Sequence, residues 1–439
     1  MKLFLREKIF FAVGGAGENI SFQAASAWLL FFWSGASNSS QPLIPIGLLG
    51  ILMGFGRLIE AFDDPIIGYL SDRTNSRWGR RFPYIFFGAP FLALSFFLLW
   101  TPPLGSTTTH AIYFFIILQF FFLTYTLVSA PYEGILPELA KTSEDRVSTS
   151  AWRVLFGVIG AAIGLVGSSI LIQNFGFKFM GMVLGIATIA FFLISILGIR
   201  KKLILASQGE TLQSKLDLSK ALISTLKNKQ FLIFSLAFVL FSLGFNLLNA
   251  LLPFFVKFIL KQQEGSVAVF SGLVLVSMIL ALPVQTNLSK KFGKKKIYAY
   301  SMLALSLIFP LLFLVGFIPA SSFSQTVVIT ILIGLALSGQ FIFPNAILAD
   351  VIDYDTTKTN QRREAIYYGT QNMLQKLSFS IASVIFGTTL SLFGATADNP
   401  MGIRLIGPIA GITTFLGFLV LARWYKLPNE IRNSNLKNL

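Results

Sequence analysis

Cysteine is absent from the 439 residues, and histidine occurs once, at His110. Without cysteine the chain has no disulfide framework and no thiol chemistry. A lone histidine cannot build a metal site by itself, so a surface role at a loop edge is expected for His110. Charge is also scarce, because Asp, Glu, Lys and Arg make up 12% of the residues while 54% are hydrophobic. These values exclude an ordinary soluble domain and predict a membrane protein.

Two nucleotide-binding signatures are missing as well. The sequence contains neither a GxxxxGK[ST] phosphate loop nor a dinucleotide-binding fingerprint. ATP hydrolysis by this chain is therefore not expected, and energy for uphill transport would have to come from an ion gradient.

Long apolar runs fill most of the chain. A hydrocarbon core of about 30 Å needs roughly 20 apolar residues per helix, and about twelve such segments can be counted. They centre near residues 22, 55, 92, 122, 162, 188, 245, 278, 307, 338, 380 and 413. The prediction is an all-α membrane protein with twelve transmembrane helices in two six-helix halves. The predicted parts are an N-terminal bundle (1–199), a cytoplasmic linker (200–229), a C-terminal bundle (230–425) and a cytoplasmic tail (426–439).

Basic residues give the chain a formal charge of +16, and their positions indicate its topology. They cluster at the N-terminus, at 73–81, at 200–202, at 290–296 and in the C-terminal tail, all on one side if the spans alternate. The positive-inside rule then predicts a plasma (inner) membrane protein with both termini in the cytoplasm. The charge is thus read as a topology signal and not as a nucleic-acid surface. The first apolar run is expected to be a retained helix, not a signal peptide.

One arginine and three carboxylates interrupt the second apolar segment, in the stretch RLIEAFDDP. Glu60 and Asp64 are four residues apart and share a helix face, with Asp63 beside them and Arg57 one turn before Glu60. These carboxylates cannot all stay ionised in a dry site unless a cation joins them. An alkali cation or a proton would resolve the conflict, since oxygen ligands suit hard cations. The alternative is that Arg57 and Glu60 form a structural pair while Asp63 and Asp64 end the helix before Pro65.

Further polar side chains interrupt other predicted spans. Taken singly, each could equally bind one helix to another, and a snorkelling or paired structural role is the alternative for the ionised ones. Taken together they predict a wet central cavity that could hold a polyhydroxyl ligand. The candidate residues are Glu18, Asn19, Thr126, Ser129, Glu133, Arg153, Asn249, Gln371, Asn372 and Lys376.

Two long stretches match a known family. EAFDDPIIGYLSDRTNSRWGRRFPYI begins at Glu60, and LADVIDYDTTKTNQRREAIYYGTQNMLQK ends at Lys376. The sequence resembles the glycoside–pentoside–hexuronide:cation symporters of the major facilitator superfamily, which include the melibiose permeases. The resemblance implies that Glu60 and Asp64 bind the coupling cation, with Thr126 as a further ligand. It also implies that Lys376 communicates between the cation and sugar sites, and that Arg153 belongs to the sugar pocket.

Several positions depart from the melibiose permeases. Asn19 stands where they use an Asp to hold the sugar, and Glu18 stands where they have Lys. Ser129 replaces an Asp, and Glu133 and Phe341 occupy positions of pocket tryptophans. Asp63 stands where a melibiose permease has Asn. Cation coupling is therefore expected to be preserved, while galactoside recognition is not.

The resulting functional prediction is symport of a sugar, glycoside or uronide with Na⁺ or H⁺, by a monomeric carrier without any cofactor besides the cation. A lysolipid or another amphiphile is the alternative cargo, because sodium-coupled lysolipid symporters belong to the same wider family. An intramembrane enzyme using Glu60 and Asp64 as an acid–base pair is a third hypothesis, but the sequence offers no nucleophile–His arrangement to support it.

A cytoplasmic gate is also predicted from the charged loops. The loops 73–81 and 141–146 are expected to hold the cytoplasmic side closed in the outward-open state. The predicted gate residues are Asp72, Arg73, Arg77, Arg80, Arg81, Glu144, Asp145, Arg146 and Arg363.

Overall fold

The computed structural model describes residues 3–37, 42–74, 76–140, 142–207, 225–359 and 364–426. These residues form twelve α-helical elements. In chain order they are α1 Leu5–Trp33, α2 Ile46–Arg73, α3 Phe82–Leu98, α4 Thr107–Leu139, α5 Ser143–Ala162, α6 Ser168–Ser207, α7 Lys229–Phe254, α8 Ser266–Phe292, α9 Lys294–Ile308, α10 Ser322–Thr359, α11 Glu364–Phe393 and α12 Met401–Trp424. Short π-helical turns at Ile163–Gly167 and Phe255–Ile259 follow α5 and α7, and a 3₁₀ turn at Phe309–Leu314 follows α9.

Gly176 breaks the longest helical stretch. The apolar stretch Glu144–Ile204 has 61 residues, which as one straight helix would measure roughly 90 Å at about 1.5 Å per residue. That is about three times the thickness of a bilayer core. Gly176 has φ 82° and ψ 173°, a backbone conformation that glycine adopts without a steric penalty. Gly176 therefore divides the stretch into two helical segments, as expected for the apolar segments centred near 162 and 188.

Eight helical stretches in the described part of the chain are long and apolar enough to cross a membrane. Helix α3 is apolar but only 17 residues long, and α1 and α2 carry charged residues within their length. The prediction of an all-α, multi-pass membrane protein is confirmed.

The chain divides into two compact units. The first contains Met1–Gln213, Asn249–Gly272 and Ser383–Pro400, and the second contains Ser214–Leu248, Leu273–Ala382 and Met401–Leu439. The first change of unit falls inside the predicted linker 200–229, of which 208–224 lie outside the described residues. The predicted boundaries of the two halves stay predictions.

Small residues bring α1 and α5 into close contact within the first unit. A Cβ atom on Gly160 would lie 2.4 Å from the carbonyl oxygen of Ala16, and one on Gly15 would lie 2.9 Å from the carbonyl oxygen of Arg153. Small residues permit such close approach of membrane helices. Glu18, one turn beyond Gly15, is thereby placed beside Arg153.

At the other end of α1, His110 joins two connecting segments. Its Nδ1 lies 3.2 Å from the carbonyl oxygen of Leu43, and its Nε2 lies 3.0 Å from that of Pro103. The neighbouring Trp33 donates from Nε1 to the carbonyl oxygen of Leu99 at 2.9 Å. His110 is half-buried, so it contributes to packing between the segments that precede α2 and α4.

Candidate functional site

Arg153 connects three helices of the first unit. Its Nη2 lies 2.9 Å from Oε2 of Glu18 on α1 and 2.8 Å from Oε1 of Glu133 on α4. The side chains of Glu18, Arg153 and Glu133 are 12%, 23% and 47% exposed. We call these three residues the Arg153 clamp. One guanidinium group thus neutralises one of two carboxylates, and Glu133 is the accessible arm.

Aromatic packing fixes the position of the clamp. The guanidinium carbon of Arg153 lies 5.3 Å from the ring centroid of Tyr132, a cation–π distance. The Tyr132 hydroxyl donates to the carbonyl oxygen of Phe11 at 2.7 Å, and Ser195 donates to the same oxygen at 3.0 Å. Because its hydroxyl is bonded and its ring is stacked on Phe11, Tyr132 supplies a rigid support for Arg153.

Asn19 and Ser129 lie on the same two helices as the acidic residues of the clamp. Asn19 is half-buried and donates from Nδ2 to the carbonyl oxygen of Gly15 at 2.9 Å, within its own helix. Ser129 is buried, with 9% of its surface exposed. One of the two N–H groups of the Asn19 amide is already engaged, so this side chain offers a ligand its accepting oxygen and one remaining N–H.

A second charged cluster lies on α2. Arg57 Nη1 and Glu60 Oε2 are 2.8 Å apart, and the two side chains are only 3% and 1% exposed. The guanidinium carbon of Arg57 also lies 4.3 Å from the ring centroid of Phe122 and 4.9 Å from that of Phe22. The pairing of Arg57 with Glu60, one part of the structural alternative, is therefore present. Its other part is wrong, because α2 does not end at the acids but continues to Arg73.

Thr126 faces the α2 cluster from α4. It is one helical turn beyond Phe122, which contacts Arg57, and therefore shares the same face of α4. Because α3 crosses back between them, α2 and α4 run in the same direction, and this turn lies level with the acidic stretch of α2. Thr126 is 0% exposed, and within the described part of the chain its Oγ1 has no hydrogen-bond partner. Asp63 and Asp64 are half-buried.

Tyr125 lies within electrostatic reach of both clusters. Its hydroxyl interacts with Glu18 and Glu133 of the clamp and with Glu60 and Arg57 of α2. Its ring packs 5.3 Å from that of Phe22. The two charged clusters therefore belong to one polar region of the first unit, built by α1, α2, α4 and α5.

The remaining predicted ligand residues lie on α7, α10 and α11. Gln371 is buried and accepts from Ser235 Oγ at 3.0 Å, which gives it a packing role. Asn372 is exposed, while Asn249 and Lys376 are half-buried. Phe341 is 56% exposed and meets Phe245 edge-on at 6.2 Å between ring centroids.

Glu138 is a charged residue that the sequence analysis missed. Its Oε1 accepts from Nε of Arg80 at 2.6 Å and lies 3.1 Å from Nε of Arg81. Glu138 is 3% exposed, and Arg81 packs so closely over Gly134 that a Cβ atom there would clash with the guanidinium. The available signal was a single carboxylate at the end of an apolar helix, on the predicted cytoplasmic side, where two adjacent arginines also follow the predicted second span.

Some of the predicted gate residues have partners in the first unit, and others are exposed. Asp145 Oδ1 pairs with Lys8 Nζ at 2.8 Å, and Arg146 donates to the carbonyl oxygen of Ala140 at 2.8 Å. Within the first unit, Arg80 and Arg81 thus pair with Glu138 and Asp145 pairs with Lys8. Arg73, Arg77 and Glu144 are exposed. The side chain of Asp72 and all of Arg363 lie outside the described residues.

Glu138→Gln is expected to lower the thermal unfolding midpoint of the protein. Removing one partner of a buried ion pair typically costs about 3–5 kcal/mol, because the other charge stays buried without compensation. The matched control is Glu144→Gln on the exposed surface, for which an effect within about 0.5 kcal/mol is expected. Thermal unfolding of the purified variants measures the difference, and equal midpoints for the two would contradict a buried pair.

An all-α fold with eight apolar spans among its described residues and paired charges inside its helices is that of a multi-pass membrane protein, and the family match assigns it to the transporters. The chain belongs to the MFS/sugar transport protein family, which matches residues 10–429. This match confirms the resemblance to the glycoside–pentoside–hexuronide symporters and the prediction of a transporter. It also supports the prediction that the chain is not an enzyme.

Individual relatives have different cargoes in their names. The isoprimeverose transporter of Lactiplantibacillus pentosus is 25% identical over 92% of this chain and 83% of its own length. The sodium-dependent lysophosphatidylcholine symporter 1 of Xenopus tropicalis is 22% identical over 100% of this chain and 90% of its own. The crystal structure of nucleoside transporter NupG superimposes with a TM-score of 0.68 at 15% identity, covering 97% of this chain and 100% of that one. At that identity the structural likeness supports the fold alone.

Proposed function

We propose that the protein imports a sugar or glycoside by symport with Na⁺ or H⁺. The observation that carries this proposal is the hydroxyl of Thr126, fully buried and without a described partner, on the α4 face that contacts the α2 cluster. A buried hydroxyl normally has a hydrogen-bond partner. Beside Glu60, Asp63 and Asp64 it completes a set of oxygen donors of the kind that hard cations prefer.

In this mechanism the cation compensates the α2 carboxylates and thereby favours substrate binding. Coupling requires that cation and substrate strengthen each other's binding by the same free energy, typically about 1–3 kcal/mol. Tyr125 lies within electrostatic reach of both charged clusters, so its hydroxyl is sensitive to a change of charge at either one. Lys376 is proposed to respond to the same change of charge. Uptake proceeds by alternation between outward-open and inward-open states.

The proposal includes an orientation and an assembly state. The basic clusters at 73–81, 200–202 and 290–296 support an orientation with both termini in the cytoplasm, by the positive-inside rule. The proposal also locates the protein in a bacterial inner membrane. It describes a monomeric carrier without nucleic-acid partners.

A lysolipid is the second candidate cargo. A relative named as a lysophosphatidylcholine symporter aligns along the whole chain, and Phe341 is largely exposed on α10, which would suit an acyl chain. The Arg153 clamp favours the saccharide, because it offers polar acceptors and a fixed charge in place of an apolar wall.

Ligand-induced thermal stabilisation of the purified protein tests the proposal. Sugars, glycosides, uronides and lysolipids are screened at low Na⁺, at high Na⁺ and at two pH values. Stabilisation by a saccharide that grows with Na⁺ or H⁺ is the expected result. Stabilisation by lysolipid, without stabilisation by any saccharide, would favour lysolipid as the cargo instead.

A further inference from the structure

We infer that the Arg153 clamp selects against carboxylate-bearing substrates, so that the carrier takes uncharged or amine-bearing saccharides and excludes uronides. The inference rests on the proposed symport of a saccharide and specifies the class of saccharide. Glu133 and Glu18 are the specificity-determining residues, and the geometry of Arg153 is the reason.

An arginine that recognises a substrate carboxylate needs its planar donors available for that group. Here the Nη2 of Arg153 already donates to Glu18 at 2.9 Å and to Glu133 at 2.8 Å. A uronide carboxylate that approached Arg153 would be a third carboxylate around one guanidinium group in a partly buried site, which is unfavourable. Arg153 therefore serves first to compensate and position the two acids.

The formal charge of the clamp points the same way. Glu18 and Glu133 bring two carboxylates against the one guanidinium group of Arg153, so the clamp has a formal excess of one negative charge. A substrate carboxylate would add to this charge, whereas hydroxyl and ammonium groups would not.

The carboxylates of the clamp present hydrogen-bond acceptors. Glu133 is 47% exposed and is the part of the clamp that a ligand can approach. Beside the clamp, Asn19 also keeps its amide oxygen for a ligand, while one of its two N–H groups donates to the carbonyl oxygen of Gly15. Acceptors suit sugar hydroxyl and ammonium donors, while a carboxylate brings only more acceptors.

The experiment compares matched saccharides on one ring. Xylose is the glucuronate ring without its carboxylate. Glucosamine and glucuronate each differ from glucose at a single substituent. Binding is measured by isothermal titration and thermal stabilisation at fixed pH and at the cation concentration that gives the strongest response, together with the galactose series. In the wild type, glucuronate and galacturonate are expected to bind at least about tenfold more weakly than their neutral counterparts, as like-charge juxtaposition demands.

Variants of the clamp identify the source of the discrimination. Glu133→Gln is expected to reduce the neutral-to-uronide ratio at least about fivefold, because one like charge is removed. Glu133→Asp keeps the charge and should keep the ratio, and Asp398→Asn, in the exposed connection between α11 and α12, should leave it unchanged. If Glu133→Gln does not fold, Glu18→Gln also removes one negative charge from the clamp and tests the same expectation.

Each outcome has a defined meaning. A uronide that binds as tightly as its neutral partner would overturn the inference while the symporter proposal stands. An unchanged ratio in a folded Glu133→Gln or Glu18→Gln variant would also overturn it. Binding of lysolipid with no response to any saccharide would overturn the proposed function, and the inference with it.

Discussion

Arg153→Met is expected to destabilise the protein by roughly 3–5 kcal/mol, the usual cost of removing one partner from a buried ion pair. The change leaves Glu18, which is 12% exposed, without its compensating charge, and it removes the support that holds Glu133. Saccharide-induced stabilisation should be lost in the same variant. The larger part of the effect belongs to Glu18, because Glu133 is half exposed and its pairing with Arg153 is screened by water.

A double-mutant cycle measures this interaction directly. Arg153→Met is compared in the wild type and in a Glu18→Gln background, with unfolding followed in the same detergent. In the second background the loss should be smaller by the coupling energy of the pair, expected at about 0.5–3 kcal/mol for residues in contact. An identical loss in both backgrounds would contradict the clamp. Arg423→Met near the end of α12, where the arginine is exposed, is the control for removing a surface arginine.

Asp64→Asn is expected to weaken the dependence of uptake on the coupling cation by roughly 5–150-fold, the range of a typical coupling free energy. Thr126→Val, which replaces the buried hydroxyl by a methyl group of similar size, should act in the same direction. The physical reason is that each change removes an oxygen donor or a charge from the proposed cation site while leaving the helix packing nearly unchanged.

Uptake into proteoliposomes measures this effect. Initial rates are recorded with and without an inward gradient of Na⁺ or H⁺, and substrate counterflow without a gradient reports whether the carrier still moves. Asp350→Asn is the control, because this aspartate is partly exposed and pairs with Lys294 at 2.8 Å. Cation-dependent uptake that is unchanged in Asp64→Asn and Thr126→Val would place the cation site elsewhere.

The sequence was sufficient for the local features of the site. Arg57 and Glu60 are three residues apart, so helical periodicity alone brings them to one face, and their pair is present. Hydrophobic runs likewise located the helical elements of the described residues, eight of which are long and apolar enough to cross a membrane, because the length of an apolar segment is set by the bilayer. The continuation of α2 past the acids also agrees with the apolar residues that follow Pro65.

Contacts between distant helices could not be predicted in the same way. Arg153 meets Glu18 across 135 residues, and Arg80 meets Glu138 across 58. Such pairs depend on how helices pack, and small residues such as Gly15 and Gly160 decide that packing through backbone contacts. A single sequence showed that these charged residues interrupt apolar spans, but it did not show which of them pair.

The two contacts of His110 make the chain convenient for magnetic resonance. Its ring nitrogens face the carbonyl oxygens of Leu43 and Pro103, and a neutral imidazole can donate from only one nitrogen. Both contacts are hydrogen bonds only when the ring carries two protons. Because the chain has a single histidine, labelled histidine gives the signals of one imidazole ring without further substitutions. Those signals report whether the segments before α2 and α4 stay joined while the carrier works.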